Sequence, residues 1–227
     1  KNYDLSAEYY FEPAGLVSLG AFRKDLRDFI YSDNSQLVGS GSNNGFEAEY
    51  EGYRLTTQLN GGTARLQGYE FNYQQQMKFK TLPRWAQGFG LYGNYTYLKT
   101  EGDYGTAASA LAANASKELA GFVPRTANLG VSWLGRGWDV RVQAIKRGHY
   151  LTTNSTNAAL IRYSLDRVTW NLKLRRIFTE RYVLLLEVES ILAEPYRKEN
   201  FMSENSNLPQ FTGNISPRWV GGLQGRF

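Results

Sequence analysis

Two glutamates near the C-terminal end of the sequence have the spacing of a carboxylate pair. Glu187 and Glu189 are two residues apart, so on a β-strand they lie on the same face. Paired carboxylates can exchange protons with a substrate or bind a cation. The preceding alternating stretch carries Lys173 and Arg175, and a hairpin between the two stretches places Lys173 diagonally beside Glu187. This mixture of signs favours a balanced charge ladder on a wet surface over a site of acid and base catalysis.

The other reactive residue types form no catalytic or metal-binding pattern. The sequence contains no cysteine, which removes disulfides, thiolate metal ligands and cysteine nucleophiles. The Gly61-Gly62 pair lacks the lysine and the spacing of a phosphate-binding loop, and there is no nucleophile elbow. Glu101 and Asp103 lack the ligand spacing of a calcium loop. We therefore expect no enzymatic activity, no metal site and no cofactor.

Alternation of apolar and polar residues is the dominant pattern of the sequence and predicts β-strands. From Asn2 to Phe11 the odd-numbered residues are apolar or aromatic and most even-numbered ones are polar. The same alternation recurs at 69–77, 89–97, 127–133, 138–144, 168–174, 182–188 and 218–227. No apolar run reaches the roughly 18 residues of a spanning helix, whereas strands of about 9 to 11 residues can cross a bilayer.

The composition agrees with strands that have one apolar and one wet face. The sequence of 227 residues has 16 Tyr, 12 Phe and 5 Trp, yet its mean hydropathy is −0.47. The wet face carries charged residues of both signs together with neutral polar ones. Its polar residues include Glu8, Glu70, Asp139, Arg141, Lys173, Arg175, Gln224 and Arg226. The net charge of +5 is dispersed, without a basic run, which argues against a nucleic-acid partner.

The closing stretch, from Arg218 to Phe227, ends on an aromatic residue. Its apolar face carries Trp219, Leu223 and Phe227, and its other face carries two arginines. A strand of an outer-membrane barrel has lipid on one side and an aqueous lumen on the other. We expect these three apolar side chains to contact lipid and to contribute to membrane insertion and assembly.

The connections between predicted strands alternate in length. Short turns lie at 12–15, 82–88, 134–137 and 177–181, and the long polar connections are Ser32–Gly52, Thr100–Gly121, Thr152–Ile161 and Ala193–Gly213. An up-and-down barrel gives this alternation, with aromatic residues gathered near the short turns as a girdle. The fold class predicted is therefore all-β, an antiparallel transmembrane barrel segment of about nine strands.

Two local predictions follow from turns and glycines. If Leu134–Gly137 turns the chain, the register pairs Trp133 with Trp138, and all paired side chains lie on one face. The same register pairs Val131 with Val140 and Leu129 with Val142. A bend or bulge is expected at Asn60-Gly61-Gly62.

Several segments together resemble the C-terminal barrel portion of TonB-dependent outer-membrane receptors. They are Leu19–Asp25 with Asp28–Ile30, Asn60–Glu70, Phe122–Leu129 and the terminal Phe227, in this order over nearly the whole chain. The resemblance implies a barrel of about 22 strands with a plugged lumen. It also implies uptake of a scarce ligand, such as a siderophore, cobalamin or a glycan, using energy from an inner-membrane complex.

The resemblance also implies which partners are missing from residues 1–227. The family's plug and its TonB-contacting segment have no counterpart here, and about nine strands cannot close as an even-numbered bacterial barrel. We therefore expect the C-terminal part of one barrel domain in the bacterial outer membrane. Its expected partners are membrane lipid, the upstream plug and strands, the TonB complex and the barrel-assembly machinery.

In such a receptor the ligand would be selected by the long connections. The candidate ligand-binding residues are Tyr104, His149 and Tyr150, although a single exposed histidine is more often without a function. Two alternatives remain at this point, a small self-contained porin or outer-membrane enzyme, and a soluble β-sandwich binding domain. The sandwich predicts that the apolar faces are buried in a protein core, at Tyr3, Tyr9, Leu129, Val140, Trp170 and Leu184.

Overall fold

The computed structural model of the chain describes residues 1–39, 45–103, 117–154, 161–179, 181–200 and 209–225. Among the residues singled out above, Tyr104, Phe227 and Arg226 lie outside this part of the chain. No helix in the described part is long and apolar enough to cross a membrane.

The described chain is built almost entirely from β-strands. Two short 3₁₀ turns, Ala48–Tyr50 and Ala86–Gly88, are the helical elements of the described residues. The strands are β1 Asn2–Phe11, β2 Gly15–Leu37, β3 Arg54–Gln76, β4 Phe89–Asp103, β5 Arg125–Gly135, β6 Trp138–Arg147, β7 Tyr150–Thr153, β8 Arg162–Ser164, β9 Arg167–Ile177, β10 Tyr182–Glu189, β11 Tyr196–Asn200, β12 Pro209–Gly213 and β13 Arg218–Gly225.

Nine of these strands form one antiparallel sheet. Their order is β1-β2-β3-β4-β5-β6-β9-β10-β13. The order follows the chain, except that β7 and β8 are left out after β6, and β11 and β12 after β10. This confirms the predicted all-β barrel segment of about nine strands. Because strands that follow one another in this order are antiparallel neighbours, the nine strands run up and down as a barrel wall does.

A second, four-stranded sheet was not predicted from the sequence. Its order is β12-β11-β8-β7, and its strands have three to five residues. Strands of this length carry too few alternations to be separated from polar loops. The long connections predicted at Thr152–Ile161 and Ala193–Gly213 therefore contain strand residues, and the one at Ser32–Gly52 is shortened by β2, which continues to Leu37.

The register of the nine strands collects apolar side chains on one side. Leu19 lies between Ala7 and Phe71 on the neighbouring strands, and Val142 lies between Val131 and Leu172. We call this side the outer face, which carries Leu5, Leu19, Phe71, Tyr95, Leu129, Val142, Leu172, Leu186 and Gly221. The opposite side, the inner face, carries Glu8, Ser18, Asn72, Asn94, Asn128, Gln143, Asn171, Glu187 and Val220.

The outer face is not covered by the described protein. Leu5, Tyr9 and Leu129 are 77%, 66% and 58% exposed, and Tyr3, Trp170 and Leu184 are also exposed. In a β-sandwich these side chains would pack against a second sheet and lose most of their accessible surface. The expectation of the sandwich alternative is therefore wrong for these residues.

The turn between β5 and β6 is tighter than predicted. Arg136 and Gly137 have φ of +51° and +78°, as the two central residues of a type I′ hairpin turn do. The register consequently pairs Gly135 with Trp138 and Trp133 with Val140, two residues away from the predicted pairs. Val131 and Leu129 likewise face Val142 and Ala144. An even shift keeps every side chain on its predicted face.

This turn gives a first prediction. An added Cβ at Gly137 would lie 2.8 Å from the Ile177 carbonyl oxygen, at a φ that L side chains rarely adopt. Gly137→Ala should lower the free energy of unfolding by about 1 to 2 kcal/mol, measured as the urea midpoint of the full-length protein refolded in detergent. Gly20→Ala is the matched control, because β2 is paired on both sides there and no atom lies nearer than 3.9 Å to the added Cβ. Equal midpoints for the two variants would contradict the turn geometry.

The predicted bend at Asn60-Gly61-Gly62 is a change of register between β2 and β3. Arg27 faces Thr63, Phe29 faces Gly62, and Ile30 faces Asn60, so each strand carries one extra residue in turn. The extra residue of β2 is Asp28, which has a φ of +57°. The two compensating insertions allow the pair to continue as a long hairpin beyond the bend.

A small apolar cluster lies on the inner face, next to the part of β3 that follows the bend in sequence. Leu119, from the connection before β5, packs with Ala64 and Leu66, and Phe29 and Leu98 contact the cluster. The backbone N–H of Leu119 donates to the Thr100 hydroxyl at 3.1 Å. This connection is therefore anchored across the inner face near one end of the sheet.

Candidate functional site

A charge ladder crosses the inner face on β6, β9, β10 and β13. Asp139 is 6% exposed and lies 3.1 Å from Arg141 Nε and 3.4 Å from Arg175 Nη1. Asp139 and Arg175 are direct cross-strand partners, while Arg141 is two residues along β6 on the same face. One buried carboxylate thus orients two guanidinium groups, each partly open to solvent.

The ladder continues through the glutamates whose spacing first suggested chemistry. Glu187 forms an ion pair with Lys173, and Glu189 accepts a hydrogen bond from Arg218 at 2.8 Å. The register pairs Lys173 directly with Glu187, so the predicted diagonal arrangement is wrong. Each glutamate therefore has its own cationic partner in the ladder.

A shallow groove of about 260 Å³ follows this ladder. Its wall includes Tyr92, Arg141, Gln143 and Asn171. The Gln143 side-chain amide donates to Asn128 Oδ1 at 2.6 Å, and Asn171 Oδ1 accepts from the Ser190 backbone N–H at 3.1 Å. The described residues contain no cluster of three or more potential metal ligands. Chemically, the inner face offers many donors and acceptors of mixed sign to a polar partner.

His149 and Tyr150 lie where β6 leads into the second sheet, at the end of the strands away from the short turns. The His149 ring stacks on Tyr163, with centroids 4.6 Å apart and planes at 12°, and its backbone N–H donates to the Asp166 carboxylate. The Arg147 guanidinium lies 5.2 Å from the centre of the Tyr150 ring. The two predicted residues are thus together but belong to separate aromatic contacts. Tyr163 and Asp166 were missed, since the three-residue strand β8 gave no pattern.

Aromatic side chains gather near the short turns, as the sequence predicted. The Trp133 indole N–H donates to the Trp85 carbonyl at 2.8 Å, and Phe89 contacts both tryptophan rings. Arg176 lies on the outer face at this end, where its guanidinium is 5.0 Å from the Trp138 ring centre and donates to the Arg136 backbone carbonyl. These groups combine apolar rings with polar tips, as side chains at an interface do.

Charged residues occupy the outer face at the opposite end. Asp25 is bonded to Arg65 at 3.0 Å and to Arg23 at 3.2 Å, and Lys99 pairs with Glu101 at 2.6 Å. These residues lie beyond the last apolar row. The hydrogen bond from Arg65 lowers the pKa of Asp25, and the bond from Lys99 lowers the pKa of Glu101, so both carboxylates stay ionised.

Two of the residues predicted to insert into a membrane are described. Trp219 faces Val188 and Leu223 faces Leu184, which places both on the outer face of β13. They are 66% and 70% exposed. β13 is an edge of the described sheet, because only β10 pairs with it there.

Comparison with known proteins identifies the type of sheet. The sequence profile of the family described as "TonB dependent receptor-like, beta-barrel" matches residues 1–188. No curated protein sequence matched the chain.

Solved structures with a similar fold match nearly the whole chain. The ferric-catecholate import receptor Fiu from E. coli K12 has 14% sequence identity and a TM-score of 0.62, over 98% of this chain and 27% of Fiu. The ferric enterobactin receptor PfeA from Pseudomonas aeruginosa has 15% identity and a TM-score of 0.64, over 99% of this chain and 30% of PfeA. The pyoverdine outer membrane receptor FpvA from P. aeruginosa PAO1 has 14% identity and a TM-score of 0.59, over 100% of this chain and 29% of FpvA.

These matches agree with the geometry. The chain spans about a third or less of the length of these structures, and the similarity extends over all nine strands of its main sheet. At such identities the structural likeness shows the fold, and the profile match over residues 1–188 shows the family. The chain belongs to the TonB-dependent receptor family, of whose β-barrel it forms a part.

Proposed function

We propose that this chain is the C-terminal wall of a TonB-dependent transporter that takes up a scarce ligand across the bacterial outer membrane. The observation that carries the proposal is the exposed outer face, whose apolar rows continue across nine strands. Burying this surface in lipid removes apolar groups from water, whereas leaving it in water would favour aggregation.

The height of the apolar rows fits a bilayer. On β1 the rows run from Phe11 at a short turn to Tyr3, which faces Arg23 on β2. At about 3.3 Å per residue and a tilt of about 40°, this distance corresponds to about 20 Å along the membrane normal. With side chains at each end, it matches the apolar band of outer-membrane barrels, which is about 25 Å tall.

This arrangement orients the proposed transporter. The aromatic groups near Trp85 and Trp138 form the periplasmic girdle, and the charged residues around Asp25 lie at the outer surface. Barrels of this type have short periplasmic turns and longer extracellular loops. His149, Tyr150 and Tyr104 are then proposed to belong to the extracellular ligand-binding surface.

The inner face supports a plugged lumen. Its mixed charges at Asp139, Arg141 and Lys173 suit a hydrated interface with another folded unit and not a pore selective for one sign of charge. The open sides of β1 and β13 would be satisfied by further strands of the same barrel, since unpaired backbone groups in lipid cost several kcal/mol each. We therefore infer that a plug and upstream strands complete the receptor, with TonB and the barrel-assembly machinery as its partners.

The ligand class follows by analogy only. The three structural neighbours described above are named as receptors for ferric-catecholate compounds, ferric enterobactin and pyoverdine. We therefore propose a ferric siderophore first, with cobalamin and glycans as the alternatives.

The proposal is tested with the full-length receptor expressed in a strain that lacks its own siderophore and cobalamin receptors. We expect heat-modifiable migration on a gel and uptake of a labelled ferric siderophore that stops when TonB is deleted. Labelled cobalamin and a labelled oligosaccharide distinguish the ligand classes. A soluble monomer that needs no detergent would contradict the proposal, as would uptake independent of TonB.

The candidate ligand surface gives a second prediction. His149→Ala removes the imidazole that stacks on Tyr163, and with it any hydrogen bond from the imidazole to a ligand, which contributes about 0.5 to 1.5 kcal/mol. If the imidazole contacts the ligand, the substrate concentration for half-maximal uptake should rise about three- to tenfold. Phe178→Ala is the control, because Phe178 is an exposed aromatic residue beside the short turn between β9 and β10, at the opposite end of the strands. Equal uptake curves for His149→Ala and the control would remove His149 from the site.

A further inference from the structure

A groove of about 500 Å³ opens on the outer face of β1 to β4, at the end away from the short turns. Most residues that line it belong to the outer face. Tyr3, Leu5, Tyr69 and Tyr97 give it apolar walls, and Arg23 and Lys99 lie at its charged end. The Tyr69 and Tyr97 rings are stacked, with centroids 5.1 Å apart and planes at 25°. The groove is therefore amphipathic along its length.

The register explains why the charges collect at one end. Arg23 faces Gln67, and Gln67 faces Lys99, so these three residues form one row across β2, β3 and β4. The next row, farther from the apolar band, contains Asp25, Arg65 and Glu101. The apolar row that contains Leu19 and Tyr95 lies on the other side of Tyr69 and Tyr97. A molecule in the groove would thus contact both cations and lipid-facing apolar side chains.

The acidic residues position the cations without cancelling them. Asp25 forms ion pairs with both Arg23 and Arg65, and Glu101 forms an ion pair with Lys99. Arg125 faces Tyr97 and adds a further cation beside the groove. On the outer face, the rows of Tyr97, Arg23 and Asp25 together contain four cations and two carboxylates. A third acidic residue beside the groove, Asp4, lies on the inner face. The excess positive charge lies where the proposed barrel leaves the hydrocarbon region.

This combination selects the chemistry of an occupant. Phosphate oxygens accept hydrogen bonds from guanidinium and ammonium groups, and an acyl chain packs on tyrosine and leucine side chains. A soluble anion would engage only the charged end. A neutral lipid would engage only the apolar walls. A phosphorylated lipid complements both ends at once.

We propose that this groove binds a phosphorylated lipid of the outer leaflet, with its phosphate groups at Arg23 and Lys99 and an acyl chain along Leu5, Tyr69 and Tyr97. The inference rests on the proposed location of the chain in the outer membrane. The site differs from the ligand path, because it lies on the opposite face of the sheet from the inner-face charge ladder.

The test is native mass spectrometry of the full-length receptor purified in detergent and titrated with a hexa-acylated disaccharide bisphosphate lipid. The Arg23→Gln/Lys99→Gln double variant removes two cations while keeping polar side chains at both positions. Lys24→Gln is the matched control, since Lys24 follows Arg23 on β2 but lies on the inner face. We expect the double variant to bind the lipid at least about tenfold more weakly and the control to bind it as the native protein does.

Two further arms identify the source of the phosphate. The monophosphorylated form of the same lipid should bind more weakly than the bisphosphate, because it offers one anionic group to two cations. Inorganic phosphate at millimolar concentration should not displace the bound lipid, since it lacks the acyl chains. Equal lipid binding by the double variant and the control, or displacement by inorganic phosphate, would overturn the proposal.

The failure of this inference can be distinguished from the failure of the proposed function. Both variants are first checked for heat-modifiable migration and for TonB-dependent uptake. A receptor that passes both checks but binds lipid equally in all variants refutes the lipid site alone. A receptor that is soluble without detergent refutes the outer-membrane placement, and the lipid site with it.

Discussion

Replacing Leu19 with arginine should destabilise the folded receptor by about 2 to 4 kcal/mol, the cost of an arginine at the midplane of a lipid-facing strand. Leu19 is 60% exposed on the outer face and lies midway on β2 between Gly15 at the short turn and Arg23 at the charged end. Its neighbours across the sheet are Ala7 and Phe71, so the new guanidinium would have no acidic partner in its row. The measurement is the urea dependence of refolding into detergent micelles or vesicles.

The adjacent residue supplies the control. Ser18 lies on the inner face and accepts a hydrogen bond from the Asn72 amide at 3.1 Å. Ser18→Arg introduces the same charge one residue away, facing water, and should change the free energy of unfolding by less than about 1 kcal/mol. If both variants lose the same stability, the two faces are equivalent and the assignment of the outer face to lipid is incorrect.

Removing the carboxylate of Asp139 should cost about 2 kcal/mol. Hydrogen bonds to charged groups contribute about 1.5 to 3 kcal/mol, and Asp139→Ala leaves the Arg141 and Arg175 guanidinium groups without their shared partner. The expected loss is below that for a fully buried ion pair because both arginines are partly exposed and remain hydrated. Chemical denaturation of the full-length receptor measures it.

Asp25 is a matched control for Asp139. It also bridges two arginines, at 3.0 Å and 3.2 Å, but its side chain is 32% exposed compared with 9% for Asp139. Ion pairs at the surface are screened by solvent and contribute little to stability, so Asp25→Ala should have a smaller effect than Asp139→Ala. A larger loss of stability for Asp25→Ala than for Asp139→Ala would contradict the proposal that the inner-face ion pairs stabilise the fold more than those around Asp25.

The sequence was sufficient to predict the faces in the strands that alternate regularly, but it did not assign the faces of β2 or of the short strands in the second sheet. The reason is that strand periodicity depends on residue parity, which survives errors in the length of a turn. At Trp133 and Trp138 the predicted register was wrong by two residues, yet both side chains lie on the expected face. What the pattern lacked was the left-handed conformation of Arg136, since arginine rarely adopts positive φ.

The pairing of charges was harder to predict than their presence. Asp139, Arg141 and Arg175 were recognised as a polar set, but the shared carboxylate depends on the exact register of β6 with β9. Glu189 and Arg218 lie on β10 and β13, which are neighbours in the sheet but are separated along the chain by two short strands of the second sheet. Those short strands gave no periodic signal in the sequence.

The charged rows around Arg23 were missed for a different reason. The charged residues of these rows lie on the same face as the apolar residues before them and keep the same two-residue spacing. The sequence of one strand therefore does not show where contact with lipid ends. Only the side-by-side arrangement of β2, β3 and β4 places Arg23 and Lys99 in one row.

A nitroxide scan along β9 tests most directly whether lipid contacts the outer face. Single cysteines are introduced from residue 168 to 176 in the full-length receptor, in a cysteine-free background, and each label is exposed to membrane-soluble oxygen and to a water-soluble nickel chelate. We expect oxygen contact to alternate with residue parity, high at Leu172 and low at Asn171, with the opposite pattern for the chelate. Equal protection of Leu172 from both reagents would indicate a protein core and contradict the transporter assignment.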